Sequence, residues 1–346
     1  MKELVYSKVI IYHDETKQIE KTNLKGHVLL FVPKELTIKR EGTLFGNEEI
    51  TYNPLVELYN RIMNIRKCYN SYHKFHFNEI SKSGKWTKYN EAEKELLNIG
   101  VEALKSKNTT IFPRPLFCKI AIIFYHMYRI DLFGGDKKEK RLRYHETLLR
   151  MLLKGSIHYL YDKHHQVEIE KIISDGEPYH RKLSDERILR RLIIDDSLGK
   201  SPLREYVKIS PSCPSCEIIH QSSQHKDYEE NSEEYIHANM LQLADMFLGA
   251  VVHSCYKGIK ISRILPSIGQ KVDDKRGVVS MPVKEMLDKR KRGKNFRYSS
   301  HYKSFSLSRA YLENDQWHFD NIMTKDIEIV QGAGQLTLLD LLNDGE

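Results

Sequence analysis

Alternating apolar and polar residues open the chain. Residues 3–13, rich in Val, Ile and Tyr at period two, predict a strand ending at His13-Asp14. Residues 27–33 predict a second strand, and the polar stretch 34–52, with two glycines, a loop. Leu55, Val56, Leu58, Ile62 and Ile65 fall at helical spacing over 54–67. Residues 72–80 alternate again and predict a strand, followed by a charged helix over 86–106. The near-continuous apolar run 115–128 has the pattern of a strand buried on both faces. A long amphipathic helix is predicted over 137–163, a strand over 166–174 ending at Asp175, a basic helix over 184–197 and a broken strand over 205–219. Residues 232–256 predict a helix, with Asn231 and Glu234 at capping-box spacing.

This alternation of strand and helix predicts an α/β domain over residues 1–257. Residues 258–330 are basic and aromatic without strong periodicity and predict an extension. Residues 331–346 predict a flexible tail.

Composition narrows the classes. Of 346 residues, 40% are hydrophobic and 29% charged, enough to build a core and too apolar for a disordered chain. Five cysteines exclude a disulfide scaffold. No apolar run reaches spanning length and the N-terminus meets charges too early for a signal peptide, so a soluble cytoplasmic protein with reduced thiols, and no membrane partner, is expected. The formal charge of +8 favours an anionic partner. Cys213 and Cys216 form a CxxC with His220 four positions on. A structural zinc site commonly uses two such pairs, and the remaining cysteines are isolated, so a proline turn is the favoured reading.

Carboxylates at element ends carry the chemistry. Asp14 and Glu15 end the first strand, Glu79 the strand 72–80 and Asp175 the strand 166–174. Asp245 stands in an apolar helix, where a carboxylate is costly unless paired or bound to metal. Gly249, one turn on, leaves room beside it, and Gln242, one turn before, offers a hydrogen bond. Strand ends of an open α/β sheet converge on one crevice, and paired Mg²⁺ or Mn²⁺ ions need oxygen ligands from several elements. A single Asp at a strand end is more commonly a cap, and Glu15 and Glu177 are read as solvated.

Tyr12-His13-Asp14-Glu15-Thr16 resembles the opening Y-x-D-E-[ST] of a family of bacterial and phage proteins of uncharacterised function, placed in the ribonuclease H-like superfamily. Gln242-Leu243-Ala244-Asp245, with Gly249, is similar to that family's late-helix Q-x-A-D. Phe75-His76-Phe77-Asn78-Glu79 and Ile172-Ile173-Ser174-Asp175 match its intervening acidic positions, so the resemblance covers about residues 4–257. It implies a mixed central sheet with helices on both faces and a site for Mg²⁺ or Mn²⁺ built from Asp14, Glu79, Asp175 and Asp245. Relative to the basic fold, a loop and helix are inserted between the second and third strands, where that fold has a tight meander. A strand and a long helix also stand between Glu79 and Asp175.

By this resemblance the chain is a metal-dependent endonuclease cleaving phosphodiester bonds of DNA or RNA by in-line attack of water, in phage defence or a mobile element. The alternative is an inactive ribonuclease H-like protein that binds nucleic acid or recruits a partner. A strand-transfer enzyme is a third option, disfavoured by the lack of an obvious N-terminal DNA-binding module. His13, His76 and His180 are proton-relay candidates, and Lys85 and Arg181 candidates to meet the phosphate. Residues 284–303 carry eight Lys/Arg against two Asp/Glu, interleaved with Phe296, Tyr298 and Tyr302. Lys289, Arg290, Lys291, Arg292, Lys294 and Arg297 are therefore candidate nucleic-acid contacts, with Arg187, Arg190 and Arg191 a second group. Gln335-Leu336-Thr337-Leu338-Leu339 is similar to a peptide that docks on the bacterial sliding clamp, a candidate partner.

Overall fold

A computed structural model describes residues 2–16, 24–43, 46–126, 134–175, 206–210, 218–256, 266–292, 304–313 and 316–321. The predicted helix 184–197, Arg181, His180, Cys213, Cys216, the middle of the broken strand 205–219 and the tail with Gln335 to Leu339 lie outside them.

Strand β1 (Lys2–Glu15) runs antiparallel to β2 (Leu24–Thr43), with Lys2 opposite Glu41 and Glu15 opposite His27. The loop expected over 34–52 is instead a hairpin. Leu36 pairs with Tyr52 and Ile38 with Ile50 on β3 (Gly46–Tyr52), and these apolar positions keep the inward period. Lys39 and Glu49 form an ion pair on the outward face, and Arg40 and Glu48 pair beyond Ile38 and Ile50 at the polar end of the inward row.

Helix α1 (Pro54–Tyr69) begins where the Asn53 side chain accepts the Val56 N–H, and ends at left-handed Asn70. The strand expected over 72–80 is not formed. Phe75, Phe77 and Ile80 are buried, as the alternation suggests, but the segment lies across a helix and contains only a 3-10 turn, Phe77–Glu79. Side chains replace the sheet ladder: Phe75 N–H donates to Gln242 Oε1 (2.9 Å), Phe77 N–H to Asp245 Oδ2 (2.8 Å), and buried Arg66 donates to the carbonyls of Ser71 and His73.

Then follow β4 (Gly84–Lys85), α2 (Lys88–Ala103), β5 (Lys119–His126), α3 (Lys137–Leu160), β6 (His165–Ser174), β7 (Val207–Ile209), β8 (Ile218–His220) and α4 (Glu233–Tyr256). Ser232, rather than Asn231, caps α4: its Oγ accepts the Tyr235 N–H. Asn231 takes a left-handed φ of 67° and accepts the Tyr59 hydroxyl.

The boundary expected at residue 257 also needs correction. After β9 (Lys271–Val272), α5 (Lys275–Val279) and α6 (Met281–Arg292), β10 (Phe305–Glu313) enters the central sheet parallel to β5, with β11 (Gln316–Asn321) antiparallel beside it. Val279, Val283, Leu287, Phe305 and Leu307 join the main core. The described part of 258–330 thus completes the domain. Its apolar residues are few per element and interleaved with charge, so periodicity does not report them.

Among the described residues the mixed sheet has nine strands, in the order β11-β10-β5-β2-β1-β6-β7, with β3 on β2 and β8 on β6. The β1/β2 and β2/β5 pairs are antiparallel, whereas β6 is parallel to β1 and both β7 and β8 are parallel to β6. One sheet face, with Ile10, Tyr12, Val28 and Leu30, shares a core with α1, α2, α4 and α6, of which α1 and α4 lie on the sheet; the other, with Val9, Ile11, Leu29 and Phe31, packs against α3. The fold is therefore α/β with helices on both faces of a mixed sheet. Among the described residues, no helix is long and apolar enough to cross a membrane.

Candidate functional site

Parallel pairing of β1 and β6 places two sequence-distant carboxylates side by side. His13 is in register with Ser174, and the Asp175 N–H donates to the His13 carbonyl at 3.1 Å. Asp14 and Asp175 therefore leave adjacent strand ends. Strand residues alternate in direction, so Asp14 shares the α4 face with Ile10 and Tyr12. Asp245 comes from α4, which crosses that face.

The electrostatics report the same convergence. Asp14 is only 8% exposed, and burial raises its carboxyl well above the usual range; Asp245 and then Asp175 add repulsion. Asp175 is also raised, first by burial and further by Asp245, against stabilising hydrogen bonds from Ser223 and the charge of Lys74. Asp245 Oδ2 accepts two hydrogen bonds, from His76 Nδ1 and the Phe77 amide, both at 2.8 Å. The bond to Asp245 is the main cause of a raised His76 pKa. Among the described residues, Asp14 Oδ2 and Asp245 Oδ1 take part in no hydrogen bond.

Glycine makes this approach possible. A Cβ on Gly249 of α4 would overlap the Phe77 side chain, lying 2.5 Å even from Cδ1. The room left by Gly249 is thus filled by Phe77, whose amide holds Asp245. Arg276 of α5 fastens the same segment, donating to the carbonyls of Asn78 (2.6 Å) and Ile80 (2.8 Å).

Of the four acidic residues singled out in the sequence, the structure brings three together. Glu79 is exposed in the 3-10 turn, and its charge favours the protonated form of His76. Glu15, read as solvated, is half-buried on the opposite sheet face. His13 also faces away: its ring contacts His27 and Ser174, and burial lowers its pKa to about 3, so it is no relay for the acidic group. Lys85 sits in the β4–β9 ribbon opposite Lys271. Lys289, Arg290, Lys291 and Arg292 occupy the end of α6, but their side chains, with Lys294, Arg297 and Arg187, Arg190 and Arg191, lie outside the described residues.

Sequence reasoning missed Lys74, Ser223 and the Phe77 amide. Only the last had a signal, a Gly one turn after an Asp in an apolar helix. No family model matches this chain, and no curated protein or solved structure matches it either.

Proposed function

We propose that the chain is a metal-dependent nuclease of the ribonuclease H-like kind, hydrolysing phosphodiester bonds of DNA or RNA. The observation that carries this reading is the convergence of Asp14, Asp175 and Asp245 from two parallel strand ends and a crossing helix. The sheet supports it further. β1, β2 and β5 form an antiparallel meander, and β6 with β7 and β8 continues in parallel on the other side of β1. The elements β3, α1, β4 and α2 are an insertion in that meander.

The donor set fits Mg²⁺ or Mn²⁺. Three carboxylates are hard oxygen ligands. They repel one another without a cation, and two of their oxygens are not taken up by hydrogen bonds among the described residues. A bound divalent cation would lower the pKa of the attacking water and offset charge on the phosphate. Asp14 and Asp245 would hold it, with Asp175 completing the set. His76 and the Phe77 amide fix the rotamer of Asp245, leaving Oδ1 to the ligand. Lys74, close enough to act on Asp175, takes the phosphate-facing role that sequence nearness gave to Lys85. The basic run 284–303 supplies charge for a polyanion.

The test is cleavage of single- and double-stranded DNA and RNA by the full chain with Mg²⁺, Mn²⁺ or EDTA. Cation-dependent cutting lost in Asp14→Asn and Asp245→Asn supports the reading. Cutting that persists in both variants overturns it, and binding without cutting favours the non-catalytic alternative.

A further inference from the structure

We propose a second metal site, for a transition dication of the zinc class, formed by Glu15, His27 and His145 on the α3 face of the sheet. It is separate from the acidic group. Consecutive strand residues point to opposite faces, so Asp14 goes to the α4 side and Glu15 to the α3 side.

Three elements build the site. Glu15 ends β1 and is the direct cross-strand partner of His27 on β2. Buried His145 comes from α3, which packs on this face. One ligand atom from each of the three residues lies within 4.8 Å of the other two. His27 Nε2 and His145 Nδ1 are 3.5 Å apart. Two nitrogens bound tetrahedrally to one zinc at ~2.0–2.1 Å stand about 3.4 Å from each other, so the spacing of the pair matches that of two zinc ligands. Glu15, half-buried at the strand end, places a carboxylate oxygen within 4.8 Å of the ligand atoms of both rings.

The surroundings resemble the outer shell of a histidine metal site. His27 Nδ1 meets His13 Nε2 at 2.8 Å, and His13 Nδ1 meets Ser174 Oγ at 2.7 Å. With His13 accepting at Nε2, the proton of His27 sits on Nδ1 and the Nε2 lone pair faces the site. Tyr125 OH is 2.9 Å from His27 Nε2 and 3.3 Å from His145 Nδ1. Without metal it bridges the two rings; with metal it stands beside the ligands. Burial, with the charges of Lys25 and Arg141, keeps His145 neutral as a ligand must be. Those two cations oppose a dication and Glu15 favours one, so affinity rests on the ligand set. Two imidazoles and one carboxylate select zinc-class ions, whereas an all-carboxylate group suits Mg²⁺ or Mn²⁺. The site joins β1, β2 and α3, and it does not depend on the nuclease reading.

The test uses the full chain, stripped with EDTA and dialysed, then titrated with Zn²⁺ by calorimetry and with Co²⁺ by visible absorption. In the Asp245→Asn chain, with the acidic group disabled, one equivalent is expected, with d–d bands of low-coordinate Co²⁺ and a rise in Tm on Zn²⁺ addition. His145→Ala and Glu15→Gln should abolish the bands, and Asp245→Asn should keep them. Glu15→Gln, at a half-exposed strand end, serves if His145→Ala does not fold. Absence of binding by the intact chain would overturn the proposal and leave a hydrogen-bond relay through Tyr125. Bands lost in Asp245→Asn but kept in the other two would equally overturn it, assigning the metal to the acidic group.

Discussion

Replacing Gly249 by alanine tests how the acidic group is held. The new methyl carbon would fall inside the Phe77 side chain, 2.5 Å from Cδ1 and nearer still to other atoms. Phe77 has little space to retreat into, because His253 and Arg276 lie about its ring, each 6.0 Å from its centroid. Overpacking of this kind costs about 1–3 kcal/mol. Displacing Phe77 also pulls its N–H from Asp245, and a hydrogen bond to a charged group is worth about 1.5–3 kcal/mol. Alanine returns about 1 kcal/mol of helix propensity. The net expectation is a loss of roughly 1.5–5 kcal/mol. At about 2–4 °C per kcal/mol for a chain of this order, Tm should fall by roughly 3–20 °C. Differential scanning calorimetry and urea unfolding measure both quantities. Phe77→Ala in the Gly249→Ala background should cost less than Phe77→Ala alone, since the clash has gone. A Gly249→Ala chain as stable as the parent, or more so, would refute the reasoning, because propensity alone would then govern the position.

Three further outcomes follow from the same interactions. In EDTA, Asp14→Asn should raise Tm at pH 8 and do so less at pH 4. A carboxyl raised on folding contributes stability below its unfolded pKa and loses it as pH rises through the folded one; Mn²⁺ should stabilise the parent but not the variant. His76→Ala should cost more stability at pH 6 than at pH 9 in pH-resolved thermal unfolding. Its raised pKa contributes below about 6.5 and fades as pH passes the folded value. Arg66→Leu should cost roughly 3 kcal/mol or more in urea unfolding, because it leaves the buried carbonyl of Ser71, the half-buried carbonyl of His73 and the buried side-chain oxygen of Asn239 without their donor.

Much of this architecture is legible in the sequence, and the exceptions share a physical cause. β1, α1, α2, α3, β6 and α4 are legible because the buried residues of each lie in one continuous segment of sequence. The β2–β3 hairpin is obscured because its outward residues are so charged that Leu36, Ile38, Ile50 and Tyr52 are diluted. Residues 72–80 mislead in the opposite sense. Their alternation records burial of Phe75 and Phe77, while side chains of α4 and α1 supply the hydrogen bonds that define a strand elsewhere. β10 is hidden because its large apolar residues, such as Phe305 and Leu307, are few and follow a highly charged run.

The same holds for the site. Asp14 and Asp175 stand out at strand ends and Asp245 in an apolar helix, and pairing of β1 with β6 brings the first two together. Glu79 drew attention through an alternation that is not a strand, and it ends exposed. Lys74 and Ser223 acquire roles only through folding. His27 and His145, separated by 118 positions, carry no local pattern linking them.

The proposed function turns on whether the three carboxylates form one cation site, and Mn²⁺ calorimetry on the full chain measures that directly. His145→Ala as the background silences the second site. Binding is predicted in this background and with Glu79→Gln added, and its loss with Asp14→Asn or Asp245→Asn. No binding in the background chain, or binding that survives both aspartate replacements, would contradict the account.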